Sequence, residues 1–369
     1  MKILVINCGS SSIKYKLYSS DSDKPLDKGL IEKIGEKGSA VKNHSQGVRK
    51  LVSGLLGRKV ISRLDEIETI GHRVVHGGEA FREPRLINPQ VIKKIRECSK
   101  LAPLHNPANL AGIIGCRKLF PRIPQVAVFD TAFYQDMPKA AYIYAIPQSY
   151  YKKYKVRKYG FHGTSHQFVA KQASKILKKP LTKLKLITCH LGNGCSITAI
   201  DQGRAVDTSM GFTPLEGLVM GTRCGDIDVA AVFYIMEKEK LAISEMDQIL
   251  NKQSGLLGVS GLSNDFRLIR KAMAKGSQRA KLAYEIFIHR IKKYIGAYLF
   301  ILKGADAVCF TGGIGENTPK LIEDFRQSTL RFLGSKTKIL VIPTDEELMI
   351  AHLACGLINK PQNKKRKIK

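Results

Sequence analysis

Aliphatic residues fill positions 3–6, the run breaks into "NCGSSS" (7–12), and apolar positions return with a period of two at Ile13, Tyr15 and Leu17. Alternation of this kind puts every second side chain on one face of a strand, so it predicts strands near 2–7 and 12–18 joined by a polar loop. Alternation and β-branched residues predict further strands near 26–33 and 69–75, and helices follow near 88–100 and 107–119. "QVAVFD" (125–130) reads as a buried strand. The second half repeats this order, starting again with strand, glycine turn and strand in "KLITCHLGNGCSITAI" (185–200). Helices are expected near 226–239, 244–251 and 280–303, then a strand at 307–313 and a helix opening at Pro319 behind a Thr318 cap. A last strand (338–343) precedes a helix over about 344–359, whose first turn carries Asp345, Glu346 and Glu347, where acidic side chains suit the helix dipole. Two halves with one strand order predict a duplicated α/β architecture. Its expected domains are 1–134 with 348–369, and 135–347, with a ligand in the cleft between them.

The 369 residues suffice for two domains and a large core. No stretch approaches the ~20 apolar residues of a membrane span, and the apolar run after Lys2 is only strand-length, so neither a membrane anchor nor a signal peptide is expected. The eight cysteines form no CxxC pair, which predicts reduced thiols and a cytoplasmic setting. The net charge of +30 fits either nucleic-acid binding or a basic field that attracts anionic substrates. The lysines are spread along the chain without an RRM, zinc-finger or basic-zipper pattern, which leaves substrate steering as the expectation and no specific nucleic-acid partner. The terminal "KKRKIK" reads as a solvated tail, with RNA or lipid contact as the alternative.

Three glycine-rich segments each follow an aliphatic strand: "NCGSSS" (7–12), "HLGNG" (190–194) and "TGGIGEN" (311–317). A single one could be an ordinary turn; three at strand ends suit a polyphosphate held by backbone N–H groups, with Ser10 and Ser12 adding hydroxyls. The dinucleotide pattern GxGxxG and the P-loop GxxxxGK[ST] are both absent.

Arg73 in "GHRVVHGGEAF" (71–81) and Arg223 in "MGTRCGDID" (220–228) sit among apolar neighbours. Each is either half of a structural ion pair or a fork that clamps a carboxylate or phosphoryl group. His162 and His166, four apart in "YGFHGTSH", could bind zinc, but no HExxH glutamate accompanies them. Donation to developing phosphoryl charge fits better. His105 in "APLHNP" either contacts substrate or caps the following helix, and Asp130, at the end of a buried strand, can hold Mg²⁺ or its water shell.

These segments, with "LAPLHNPANL", "VFDTAF", "SMGFTPLEGLVMGTRCGDID", "GVSGLSNDFR" and "IPTDEEL", resemble acetate kinases in order from residue 1 to about 355. The resemblance implies two duplicated RNase H-like domains of the actin-like ATPase superfamily, usually as a homodimer, with ATP in the cleft. It assigns Mg²⁺ contact (Mn²⁺ as a substitute) to Asn7 and Glu346, and ATP contact to Lys14. Further ATP contacts are His190, Leu191, Gly192, Asn193, Gly194, Asp265, Phe266, Arg267, Gly313, Ile314, Gly315, Glu316 and Asn317. Arg73 would hold the acyl carboxylate, Asp130 is the family's catalytic aspartate, and His162 and Arg223 would stabilise the transition state. Val75, Leu104, Phe161 and Pro214 would enclose the acetate methyl, with His105 beside them. The implied reaction converts ATP and acetate to ADP and acetyl phosphate; propionate as the preferred acid is the alternative. An actin-like filament former or a nucleic-acid binder is the reading from another class. The chain departs from the family in a short region around 35–50, a short stretch before "KILVIP", Cys8 and Cys195 in the glycine loops, and Gly312 where alanine is common.

Overall fold

The computed structural model describes residues 1–103, 105–333 and 337–360. The chain divides into two compact units, Met1–Ala132 with Asp345–Lys369, and Phe133–Thr344.

In the first unit β1 (Lys2–Cys8), β2 (Ile13–Ser19) and β3 (Pro25–Ile31) form an antiparallel meander, and α1 (His44–Gly57) follows. β4 (Ile67–Val74) pairs parallel with β1; β5 (Arg85–Leu86), α2 (Pro89–Cys98), α3 (Asn106–Leu119) and β6 (Gln125–Phe129) complete the order β3-β2-β1-β4-β6-β5. The aliphatic run at 3–6 is buried throughout because β1 is covered on both faces, as parallel-sheet strands are. One core joins Leu4, Ile6, Ile13 and Leu17 to Val48, Leu51 and Leu55 of α1 and Cys116 of α3. Another joins Val74, Ala127 and Phe129 to Val91 and Ile95 of α2 and Ile113 of α3. At Gly112 of α3 a Cβ would lie 2.3 Å from Cys8 Sγ, so the cysteine in the first glycine loop is accommodated by a glycine on the helix behind it. The helix Glu346–Ile358 returns to pack on this sheet, burying Leu348, Met349, Ile350 and Ala354.

The second unit opens with α4 (Lys139–Tyr142), α5 (Gln148–Tyr154) and α6 (Gly163–Leu177). β7 (Lys185–Leu191), β8 (Cys195–Asp201) and β9 (Arg204–Thr208) form a second antiparallel meander. Then come α7 (Val229–Glu239), α8 (Ile243–Gln248), α9 (Gly255–Ser260), α10 (Phe266–Ala274) and α11 (Gln278–Leu302). β10 (Ala307–Thr311), α12 (Gly312–Asn317), α13 (Pro319–Leu333) and β11 (Lys338–Val341) follow, before the returning helix, α14. The order β11-β10-β7-β8-β9 repeats the first sheet: three antiparallel strands, then two parallel ones beside the first. Val169, Ala170 and Ala173 of α6 pack on Leu186, Ile200 and Cys309 of this sheet.

The third glycine-rich segment is a helix, α12, rather than a loop. Glycine normally weakens a helix, but here the Glu316 carboxylate accepts from Gly312 N–H (2.8 Å) and Thr311 Oγ1 (3.2 Å) and draws the segment into a turn. α1 was not anticipated, although Val48, Leu51, Val52 and Leu55 mark one helical face; Gly47 and Gly54 obscure it.

Candidate active site

The first unit gathers its chemistry at the carboxyl ends of β1, β4 and β6 and at the start of α14. Arg73 leaves β4 and meets Asp130, which follows β6: Nη2 donates at 2.7 Å and Nε at 3.1 and 3.2 Å to the two carboxylate oxygens. Asp130 is 1% exposed and Arg73 19%. Arg73 Nη1 lies 3.5 Å from Asn7 Oδ1, and Arg73 Nε lies 4.0 Å from Glu346 Oε2. The four side chains expected to handle carboxylate and metal thus form one cluster. Behind it, buried Glu347 takes Lys14 at 3.0 Å and Lys16 at 3.4 Å, and Asp345 caps α14 through Leu348 N–H (2.9 Å) while accepting from Lys16 (2.7 Å) and Tyr18. The expected nucleotide contact Lys14 is half-exposed and rests on Glu347.

Two asparagines that the sequence did not single out fix this cluster. Asn109 accepts from Val75 N–H (3.0 Å) and donates to Cys8 C=O (2.7 Å), tying the first glycine loop to the strand end. Asn106 accepts from His76 N–H and donates to its C=O (3.1 and 2.8 Å). Their spacing of three on α3 was the available signal. Ser10 is exposed and Ser12 partly buried; Gly9 N–H is already bonded to Ser12 C=O (2.8 Å) and does not face outward. His105 occupies the cap position of α3 but its side chain makes no cap hydrogen bond, so it does not serve that purpose. Leu104, expected in the methyl pocket, and the basic tail lie outside the described residues.

In the second unit, His162 stands at the N-cap of α6 in a left-handed conformation (φ 57°) and stacks on His190, with ring centroids 4.3 Å apart. His162 Nδ1 and His166 Nε2 both meet Ser196 Oγ, at 2.9 and 2.7 Å. A serine hydroxyl therefore occupies the point where a zinc ion would have joined the two rings. Arg223 reaches the same place from the turn before α7. A Cβ built at Gly194 would lie 3.4 Å from His162 Nε2 and 3.5 Å from Arg223 Nη1, so both donors border one spot beside the glycine loop.

The Arg223 turn is held from several sides by backbone bonds: Gly221 N–H to Asn193 C=O, Leu256 N–H to Met220 C=O and Ser254 N–H to Thr222 C=O. Gly255 (φ 64°) permits this, since a Cβ there would lie 2.2 Å from Met220 O. The guanidinium itself donates to Pro214 C=O (3.4 Å) and Met220 Sδ (3.6 Å), and among the described residues no carboxylate pairs with it. Burial lowers its pKa from the ordinary arginine value, with Cys195 a weaker opposing influence. Phe161 is buried, its carbonyl accepting from Tyr134 OH (2.6 Å), and Pro214 is partly exposed.

An open cavity of about 500 Å³ in this unit, ordinary ligand size, is lined by Gly192, Asn193, residues 264–267, Gly313, Ile314, Asn317 and Thr318. Asp265 caps α10 and pairs with exposed Arg267 (2.6 Å), whose hydrogen bonds hold the carboxyl pKa down at about 2. Phe266 turns into the core against Phe287 and Tyr284. His190, Leu191, Gly194, Gly315 and Glu316 do not line the cavity; Leu191 is buried, and Glu316 is engaged with Gly312 and with Thr344 N–H (3.1 Å). Asn317 donates to Gly313 C=O (2.9 Å).

The whole chain is similar to known proteins. An acetate kinase of Halothermothrix orenii is 52% identical over 95% of this chain and 98% of its own length. The crystal structure of Porphyromonas gingivalis acetate kinase superposes with a TM-score of 0.93 at 42% identity, covering 97% of this chain and 99% of that one. A propionate kinase from Francisella tularensis gives 0.89 at 44% identity, over 96% and 99%. The two sheets accordingly belong to the actin-like ATPase fold. The sequence model described as the Acetokinase family matches residues 2–352, and the chain belongs to that family.

Proposed function

We propose that this protein transfers the γ-phosphoryl group of ATP to acetate, giving acetyl phosphate and ADP, reversibly. The observation that carries this reading is Arg223, a partly buried guanidinium with no carboxylate partner among the described residues, bordering one spot with His162 Nε2 beside a glycine loop. A cation kept from water without a counter-ion favours binding of an anion.

An acetate oxygen attacks the γ-phosphorus while the bond to the β,γ-bridging oxygen breaks and ADP leaves with the electron pair. Acetate is ionised at neutral pH, so no general base is needed, and catalysis rests on alignment and charge neutralisation. Arg223 and His162 donate to the transferring oxygens. Arg73 holds the acetate carboxylate through Nη1, because Asp130 occupies Nε and Nη2. Asp130 acts as the orienter of that guanidinium and of nearby water. Val75, Leu104, Phe161 and Pro214, with His105, enclose the methyl group; the cavity at 192–193, 264–267, 313–314 and 317–318 takes the nucleotide, with Lys14, Ser10 and Ser12 contributing contacts to its phosphates.

Asn7 Oδ1 and Glu346 Oε2 are hard oxygen donors close to the Arg73 guanidinium, one amide and one carboxylate. Such a set fits Mg²⁺, or Mn²⁺, shared with substrate phosphates. When bound, the ion neutralises phosphate charge. The exposed apolar side chains of α7 (Val229 60%, Phe233 65%, Tyr234 62%), a helix with no buried residue, support a homodimer built on this surface. Eight free thiols support a cytoplasmic setting, and the charge of +30 suits steering of polyanionic nucleotides.

The test is acetyl-phosphate formation from ATP with acetate, propionate and butyrate in parallel, with and without Mg²⁺. Acetate should give the highest kcat/KM, with propionate ~10–200-fold weaker. The 44% identity to a propionate kinase makes propionate the second reading, favoured if the order of the two acids reverses. No product from any of the acids overturns both.

A further inference from the structure

Four side chains of the second unit share one line of hydrogen bonds. Thr188 Oγ1 lies 2.7 Å from His166 Nδ1, His166 Nε2 lies 2.7 Å from Ser196 Oγ, and Ser196 Oγ lies 2.9 Å from His162 Nδ1. Thr188, Ser196 and His166 are each fully buried. Burial, and secondarily His190, holds the His166 pKa well below the usual histidine value, so this ring is neutral and carries one proton. A neutral ring and two hydroxyls supply one proton each, and with Ser196 donating to one ring and accepting from the other the line runs in one of two directions.

In one direction His162 Nδ1–H donates to Ser196, Ser196 to His166 Nε2, and His166 Nδ1–H to Thr188. The Thr188 proton is then left with Thr198 C=O at 3.5 Å, the outer limit for a hydrogen bond. In the other, Thr188 donates to His166 Nδ1, His166 Nε2–H to Ser196, and Ser196 to His162 Nδ1. The protons of Thr188, His166 and Ser196 then each sit in a bond of 2.7–2.9 Å, and the His162 proton is on Nε2.

We propose that Thr188, His166 and Ser196 are positioning residues that hold His162 in its neutral tautomer with the hydrogen on Nε2, the nitrogen bordering Gly194 and Arg223 Nη1. The site then presents a guanidinium and a neutral imidazole N–H to the same anion, without requiring two adjacent full charges. Neither Thr188 nor Ser196 belongs to the motif residues expected to bind substrate. The kinetic consequence rests on the phosphoryl-transfer reading above; the tautomer does not.

The test uses the full chain. Two-bond ¹H–¹⁵N correlation of the imidazole rings, with the His162 signals identified by their loss in His162→Gln, should show the Nε2–H pattern. Ser196→Ala should convert it to Nδ1–H or to a mixture, and Ser196→Thr, which keeps the hydroxyl, should preserve it. With acetate and ATP, Ser196→Ala should lower kcat ~10–100-fold, as loss of an outer-shell partner does, while both KM values stay nearly constant and Ser196→Thr recovers most of the rate. Should Ser196→Ala fail to fold, Thr188→Val is expected to give the same tautomer change. An Nδ1–H or doubly protonated His162 in the unaltered protein overturns the proposal, as does a Ser196→Ala enzyme with full kcat. If the unaltered protein makes no acetyl phosphate, the functional reading fails while the ring spectrum still decides the relay.

Discussion

Arg73 and Arg223 are both partly buried arginines, one in each unit, and the protein treats their charges in opposite ways. Arg73 is matched by Asp130 at 2.7 Å and faces Glu346 at 4.0 Å, so its charge is balanced and its plane is set by side chains. Arg223 has a carbonyl and a thioether for neighbours, and its position is set by backbone bonds of the turn that carries it. The first arrangement makes an oriented donor whose Nη1 is held by a long 3.5 Å contact to Asn7; the second makes a fixed positive charge whose best partner comes from solution. Removing either group should therefore damage catalysis, but only one removal should damage the fold.

Arg73→Ala should show the larger combined effect. It removes the guanidinium that pairs with buried Asp130, which costs ~3–5 kcal/mol of stability, and it removes the acetate contact; denaturant melts and the acetyl-phosphate assay measure the two. Replacing both members by apolar residues should recover most of the stability and none of the activity. Arg223→Ala comes next: turnover should fall ~100–1000-fold, as for loss of a donor to developing charge, with the melting midpoint unchanged or raised. Equal stability losses for the two variants would erase the contrast between them.

A smaller effect tests whether the two units also differ in their buried histidines. His72 Nε2–H donates to Gln125 Oε1 at 2.9 Å; burial pushes its pKa down to about 4, with the Gln125 bond opposing more weakly, and burial likewise lowers His166. In the unfolded chain both rings titrate near 6.5 and take up protons first. Stability is therefore full above pH 6.5 and falls as pH drops toward 4, by up to ~1.4 kcal/mol per pH unit for each histidine. Denaturant midpoints between pH 7.5 and 4.5 read this slope, and His72→Gln and His166→Gln should each flatten it by its own share. Smallest, Asp345→Ala should cost ~1 kcal/mol through the lost α14 cap, measured by melting, because its ion pair with Lys16 is partly exposed.

Much of the fold was legible because strands announce themselves locally. Expected strands at 2–7, 12–18 and 125–130 lie within a residue of β1, β2 and β6, and the repeated strand–glycine–strand opening corresponds to the repeated sheet order. The short β5 and β9 were not anticipated; two and five residues give alternation too little length to register. α12 was misread as a loop because its glycines argue against helix, and the carboxylate that closes it comes from its own last turn. At the site, motif spacing pointed to Arg73, Asp130, His162 and Arg223 and favoured phosphoryl contact over zinc for the His162 and His166 pair, but nothing in it pointed to the Ser196 hydroxyl that joins the two rings.

Sequence alone determined the longer strands and their repeated order, two of the three glycine turns and the identities of the charged and histidine side chains near them, because period, propensity and motif are properties of neighbouring residues. Tertiary structure alone decided that Arg73 has a carboxylate and Arg223 has none among the described residues, and that the Ser196 hydroxyl stands between two imidazoles. Asp130 is 57 residues from Arg73 and Ser196 is 34 from His162. Such partners are chosen by which strands lie side by side, and with them the charge and proton position of every group at the site.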